Sequence, residues 1–327
     1  MNPAQILSGI PKLSALVVGD ICLDRWCTYD PDLSEPSRET GIPRIGVIAF
    51  EATPGAAGTV ANNLVALGVS RTGVLGVVGD DGAGMELLRG LEARDITTEM
   101  VVKSAAVPTF TYTKLLNVKT GEEDQPRVDF VYAKAMPDEV ERKLLNRLES
   151  AVGGYDVVLV EDQAETAEGG VVTPAIRRAL GELAARHRRK VFWVDSRKRI
   201  EHFRKLVAKP NGDEATEACM RLFGEVDLQR LRKHMETPLL IVTQGARGAV
   251  VVDQERETLI ETRPMENPVD ICGAGDSFSA GAALALAVTK SPADAVRFGN
   301  MVASVTIMKK GTGTASPQEV LATERRG

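Results

Sequence analysis

The stretch NPVDICGAGDSFSAGAALALA, residues 267–287, sets one acid, Asp276, between Gly275 and a run of almost wholly small or apolar residues. Gly273 and Gly275 admit backbone angles closed to other residues. A helix starting there leaves its first amides free, and such amides form an electropositive pocket suited to a phosphoryl group. Gly273, Ala274 and Gly275 would then supply the amides. Asp276 would take a proton from a substrate hydroxyl as that oxygen attacks phosphorus. An acid in a first helical turn is also an ordinary dipole-favoured residue, so spacing alone leaves both readings open. The chain has no GxxxxGK[ST] loop and no complete GxGxxG fingerprint at this position.

Such a loop has to be carried by a scaffold. Apolar, often β-branched runs at 15–20, 73–80, 156–162, 190–196, 239–245 and 248–253 read as buried strands. Helical patterns fall at 58–67, 83–93, 137–151, 173–188, 213–222, 226–236, 276–289 and 292–309. The alternation predicts an α/β fold with a mostly parallel sheet covered on both faces. Two segments, 25–51 and 99–133, break the rhythm with alternating stretches such as TFTYTKLLNV and RVDFVYA. They predict a small antiparallel sheet that projects from the body, either to close over a ligand or to serve as an ornament or oligomer contact. No repeat or linker divides the chain, so one domain over 1–327 is expected, with lid segments at about 25–51 and 99–133.

Composition excludes several function classes. The formal net charge of −5 argues against a nucleic-acid partner. Cysteines at 22, 27, 219 and 272 form no CxxC pair and have no neighbouring histidine at zinc spacing, so a reducing cytoplasm is expected. The start MNPAQILSGIPKLSALVV lacks a basic leader, and no apolar run is long enough for a membrane span, so neither export nor membrane insertion is expected. The basic run RRALGELAARHRRK at 177–190 reads as the solvated face and end of an amphipathic helix. His187, His202 and His234 stand at no ligand spacing and read as surface or packing residues.

The stretch from Asp270 to Ala283 resembles the C-terminal signature of the PfkB carbohydrate kinases, the ribokinase-like family, with Ile271 as a departure. The resemblance implies a ribokinase-like three-layer sandwich around a mostly parallel sheet with a small antiparallel β lid. VVGDICLDR at 17–25 is similar to the family's opening strand, which implies that Asp24 binds sugar hydroxyls. TPGAAGTVANNLVALG at 53–68 resembles the first signature and implies sugar-site roles for Gly55, Thr59 and Asn63. Here Ala56 replaces the second glycine and Thr59 the usual Asn. KPNGDEATEA at 209–218 resembles the NxxE element, implying that Asn211 and Glu214 organise Mg2+ and its waters near the triphosphate. A capping Asn followed by an early-turn Glu would look the same. VTQGARG at 242–248 implies that Thr243 and Gly245 face the nucleotide. RFGNMVASVTIMKKGTGTAS at 297–316 implies Asn300 near adenine and Gly311 at its edge, although both could be simple stop signals. Asp270 stands where a K+ site is implied.

Within the family, the pattern is most similar to the heptose-phosphate kinase branch, where the kinase can be fused to a nucleotidyltransferase. No second domain of that kind is expected in these residues. A phosphorylated sugar needs basic partners, and Lys114, Arg127, Arg197 and Lys198 are available, each also readable as a surface charge. The resemblance thus implies ATP-dependent phosphorylation of a sugar or sugar phosphate, heptose 7-phosphate being one candidate, and a homodimer formed through the lid. Two alternatives stand beside it: a nucleoside kinase of the same fold, and a sugar-sensing protein with a decayed site. The altered 56–59 segment favours the decayed site, whereas retention of Asn211, Glu214, Gly275 and Asp276 opposes it.

Overall fold

Residues 1–166 and 168–324 are described by a computed structural model. The domain expected over 1–327 includes 167 and 325–327, which lie outside the described residues. Nine strands form one sheet in the spatial order Glu257–Ile260, Ala249–Val252, Leu240–Thr243, Val207–Ala208, Val191–Ser196, Val157–Asp162, Ser14–Gly19, Arg71–Leu75 and Ile96–Thr97. Pairing is parallel except at one edge, where Leu240–Thr243, Ala249–Val252 and Glu257–Ile260 run antiparallel. A parallel sheet is buried on both faces and therefore needs continuous apolar runs. Val157–Asp162 and Val191–Ser196 are accordingly buried at every residue.

Alternate side chains serve two separate cores. Val17, Leu159, Trp193 and Ile241 pack beneath helices Ala57–Ala66, Gly82–Glu92, Ala274–Thr289 and Pro292–Thr306. Leu16, Val18, Val160 and Val242 pack beneath Asp138–Ala151, Pro174–Arg186, Gly212–Phe223 and Leu228–His234. The result is the expected three-layer α/β arrangement. Strand Ser14–Gly19 lies between Arg71–Leu75 and Val157–Asp162, so the chain's direction of travel across the sheet reverses there. A crevice at the carboxyl ends of such strands is where an open α/β sheet receives ligands.

The small-residue run now has a packing reason. A Cβ at Gly281 would lie 2.7 Å from Val302 Cγ2, and one at Gly299 2.9 Å from the Ala282 Cβ. Any larger side chain at those positions would force helices Ala274–Thr289 and Pro292–Thr306 apart.

A smaller sheet has the order Gly46–Ala56, Ile21–Asp30, Phe110–Asn117 and Val128–Phe130. Its two outer pairings are antiparallel, as expected, but the central pair is parallel, running from Cys22 opposite Phe110 to Tyr29 opposite Asn117. Both central strands enter the sheet from the same end, after the chain has returned through the main body. Val102–Ser104, inside the expected lid segment, pairs instead with Val77–Gly79. The run expected as one strand at 73–80 breaks at Gly76, where a Cβ would come within 2.6 Å of the Gly19 carbonyl oxygen. Helices Pro3–Gly9 and Pro317–Glu324 were not foreseen, being too short to carry a clear period. No helix among the described residues is long and apolar enough to cross a membrane.

Candidate active site

Helix Ala274–Thr289 opens without a side-chain cap, and Gly273 before it adopts φ 77°, in the left-handed region. A Cβ on Gly273 would also press on the Thr59 and Thr312 methyl groups at 3.3 Å each. The Ala274 amide donates to the Ile271 carbonyl at 3.2 Å and that of Ser277 to Gly273 at 2.9 Å. The amides of Gly275 and Asp276 have no intrachain acceptor among the described residues. Two donors at a helix N-terminus are therefore open to an anion.

Gly273, Ala274, Gly275 and Asp276 line a cavity of about 250 Å³ together with Asp24, Thr59 and Lys114. Arg25, Ala56, Arg127 and Arg197 complete much of its charged and strained wall. The Asp276 carboxyl is pushed up from its ordinary 3.8 to about 7, first by burial and then by the Asp195 charge, against the opposing pull of Lys209 and Arg197. Burial raises the Asp24 carboxyl to about 6, opposed by the Cys22 hydrogen bond and by Lys114 and Arg127. Two carboxyls from different elements thus face one cavity, both tuned toward neutral pH.

The segment before helix Ala57–Ala66 shapes the Asp24 side. A Cβ at Gly55 would collide with the Asp24 carboxylate, so this close approach requires glycine. Ala56 adopts φ 51° and ψ −119°, a conformation that favours glycine, and carries its methyl there under strain. Asn63 does not line the cavity. It is buried one turn into the helix, where its Nδ2 donates to the Thr59 carbonyl at 3.0 Å.

The basic residues hold acidic partners at modest exposure. Lys114 lies 3.6 Å from Glu123, Arg127 donates to Asp129 at 2.6 Å, Arg197 to Glu165 at 2.6 Å and Arg25 to Glu86 at 2.7 Å. Lys198, also expected as a partner, does not line the cavity.

Three charged residues at the centre escaped the sequence reading. Carboxylate oxygens of Glu161, Asp195 and Asp276 lie within 4.8 Å of one another. The buried Lys209 ammonium is ion-paired with Asp195 and sits 3.3 Å from where a Cβ on Gly275 would be. Burial, followed by Asp195 and Asp276, drives the Glu161 carboxyl well above its ordinary range, and its Oε1 is buried without a partner. A signal for Glu161 and Asp195 existed, since DVVLVED and KVFWVDS each end an apolar run in acid at the carboxyl end of a parallel strand.

Asn211 and Glu214 form a complete capping box on helix Gly212–Phe223. The Asn211 side chain accepts from the Glu214 amide at 2.9 Å, and the Glu214 carboxylate accepts from the Asn211 amide at 2.7 Å. The capping geometry is therefore present, and Glu214 also faces the acidic centre. Its carboxyl rises to about 7 through burial and then Asp195, while the Asn211 amide opposes the rise. Clustered carboxylate oxygens of this kind are the hard donors that suit a divalent cation such as magnesium.

The remaining expected residues lie outside the first cavity. Thr243 ends its strand and bridges to Asn211, and Gly245 opens the next turn at φ 56°. Asn300 lines a separate cavity of about 660 Å³ beside residues 261–266, with its Nδ2 buried and unpartnered. Gly311 adopts φ 70° and donates to Asp270 at 3.1 Å, while the other Asp270 oxygen accepts from the Cys272 amide at 2.9 Å.

The family described as pfkB family carbohydrate kinase matches residues 15–319. The bifunctional protein HldE of Nitratiruptor sp. is 29% identical over 320 residues, covering 96% of this chain and 65% of that protein. The chain thus spans slightly less than two thirds of that curated relative's length. Among solved structures, phosphofructokinase-2 from Escherichia coli in complex with potassium aligns with a TM-score of 0.73 at 19% identity, covering 96% of this chain and 99% of that one. The ribokinase from Thermotoga maritima aligns with a TM-score of 0.69 at 21% identity and the same coverage. These two likenesses establish a ribokinase-like fold.

Proposed function

The chain belongs to the pfkB family of carbohydrate kinases, and from that premise we propose that it transfers the γ-phosphoryl group of ATP to a hydroxyl of a phosphorylated sugar. The observation that carries this reading is the convergence of Asp24, Asp276 and the open Gly275 and Asp276 amides on one cavity ringed by Arg25, Lys114, Arg127 and Arg197. Asp276 takes the proton of the attacking hydroxyl, and its raised pKa suits a base working near neutrality. Asp24 accepts hydrogen bonds from the sugar and fixes its orientation. The open amides receive the charge that develops on the transferred group, so positioning and electrostatics supply most of the rate.

The cationic ring supports a sugar that already carries a phosphate, since Arg25, Lys114, Arg127 and Arg197 are held only by partly exposed carboxylates that a phosphate group can replace. The sequence pattern's resemblance to the heptose-phosphate kinase branch makes heptose 7-phosphate the first compound to try. Glu214, beside the cluster of Glu161, Asp195 and Asp276, would help hold Mg2+, which would neutralise phosphate charge when bound. Thr243, Gly245, Asn300 and Gly311 are assigned to the nucleotide side, and Asp270 to a K+ site. Exposed Val47, Phe50, Val128 and Phe130 on the small sheet support a homodimer formed through the lid. If so, Phe50→Asp should convert the dimer to a monomer in light scattering.

The test of the activity is an ADP-release screen across heptose 7-phosphate, fructose 6-phosphate, free hexoses and pentoses, and nucleosides, with Mg2+ and with or without K+. Turnover confined to sugar phosphates is the expected outcome. Turnover confined to nucleosides, or none with any acceptor, would overturn the reading.

A further inference from the structure

The basic run at 177–190 is more than a solvated face. Arg177 and Arg178, on helix Pro174–Arg186, meet His202, Arg204 and Lys205 around a cavity of about 420 Å³. None of its lining residues lines the sugar cavity. Gly181 lets the helix approach the other wall, because a Cβ there would already lie 3.1 Å from the Arg204 carbonyl oxygen.

Two of the cations are aimed by neutral groups. The Arg177 guanidinium donates to the Val172 carbonyl at 3.0 Å and lies 5.9 Å from the centre of the Phe203 ring. Arg204 donates to the carbonyls of Glu201 at 2.6 Å and Phe203 at 3.0 Å, and meets the His234 ring nitrogen at 3.0 Å. Carbonyls hold a guanidinium in place without cancelling its charge. Arg178 makes no ion pair among the described residues. Lys205 reaches Glu236 only at 3.9 Å, across an exposed pair of little strength.

Glu182 is the one acid in the lining, set against Arg177, Arg178, Arg204 and Lys205. Nearby Glu201 is already held by Arg221 at 2.7 and 3.1 Å. The His202 imidazole is held below its ordinary range by burial, and Arg177, Arg204 and Arg221 add to that effect against Glu201. The concavity therefore carries a positive field, with Arg177 and Arg204 held in place before any ligand arrives.

We propose that this cavity is a second ligand site, which binds a small phosphorylated anion. Guanidinium forks match phosphate oxygens, and the volume suits a small metabolite. The proposal does not depend on the kinase reading. Its ligand chemistry is the phosphate group, presented either by an inorganic phosphate chain or by a nucleotide.

The test is calorimetric titration of the full chain with pyrophosphate, and separately with AMP. The wild type should show a binding component that becomes at least tenfold weaker in Arg178→Glu/Lys205→Glu, both exposed positions outside the sugar cavity. Arg188→Glu/Arg189→Glu makes the same charge change on exposed residues beyond the cavity, and it should retain that component. Circular dichroism checks that both variants are folded. Tighter binding of AMP than of pyrophosphate at this site would identify a nucleotide as the ligand, and the reverse order a phosphate chain. Absence of binding in the wild type, unchanged binding in Arg178→Glu/Lys205→Glu, or equal loss in Arg188→Glu/Arg189→Glu would overturn the proposal.

Discussion

Helices Gly212–Phe223 and Ala274–Thr289 both begin at the acidic centre, yet their first turns are solved in opposite ways. The first closes on itself, with Asn211 and Glu214 exchanging side-chain and backbone hydrogen bonds. The second has a left-handed glycine where a cap would be and leaves the Gly275 and Asp276 amides open. A capped start is stable by itself and has little left to offer a ligand. An open start keeps its donors for a bound anion, with water as the substitute until one arrives. The contrast extends to the acids. Glu214 gives one oxygen to its own helix, while Asp276 keeps its carboxyl free in the cavity and is raised to about 7 by burial and Asp195.

Substitutions at the two starts should separate these designs. The largest effect is expected for Asp276→Asn, which should lower kcat by about 10²–10⁴-fold and leave nucleotide binding nearly intact. In the wild type, kcat should fall about tenfold per pH unit below about 7, as the carboxylate that serves as base takes up its proton. Stability should move the other way. A carboxyl whose folded pKa lies above its unfolded 3.8 keeps a proton that the unfolded chain loses, so stability declines as pH rises from about 4 to about 7. Asp276→Asn removes its share of that decline, to which Asp24 and Glu214 also contribute, and its thermal midpoint at pH 8 should exceed that of the wild type. Steady-state rates and melting curves across pH check both halves, and a fully active Asn variant would remove the base role.

Gly273→Ala comes next. A methyl at φ 77°, tight against Thr59 and Thr312, should cost about 1–2 kcal/mol of stability and reduce kcat/KM for ATP, as urea titration and kinetics would measure. Asn211→Ala, at the closed start, should cost about 1 kcal/mol by the same titration, the ordinary loss of a cap. If it also raises the Mg2+ concentration needed for half-maximal rate, the capping box and the metal shell are one device. The smallest effect belongs to Ala56→Gly, where relief of the strained backbone offsets the greater freedom of unfolded glycine, for a net gain below about 1 kcal/mol.

Much of the scaffold was readable before folding. Parallel strands announce themselves as unbroken apolar runs, and Val157–Asp162 and Val191–Ser196 lie within one residue of where those runs predict them. The 73–80 run failed because its break comes from Gly76 meeting the Gly19 carbonyl, a contact between distant segments. At the site, Asp276 and Gly273 were legible because glycines around an acid ahead of a helix are a local pattern. Lys209 was not, since its meaning comes from Asp195, which arrives from another strand. Arg177 and Arg178 were read as solvated for a related reason. A helix wheel places them on an outer face but does not reveal that Arg204 and Lys205 approach the same face.

The sequence by itself determined the layered α/β plan, the uncapped glycine start and the acid behind it, because these depend on backbone propensity and on apolar period within short windows. Tertiary structure alone decided which charges meet: Asp24 opposite Asp276, Lys209 beneath Gly275, and the parallel pairing at the centre of the lid. Electrostatic coupling depends on distance and burial, and neither exists until remote segments pack together.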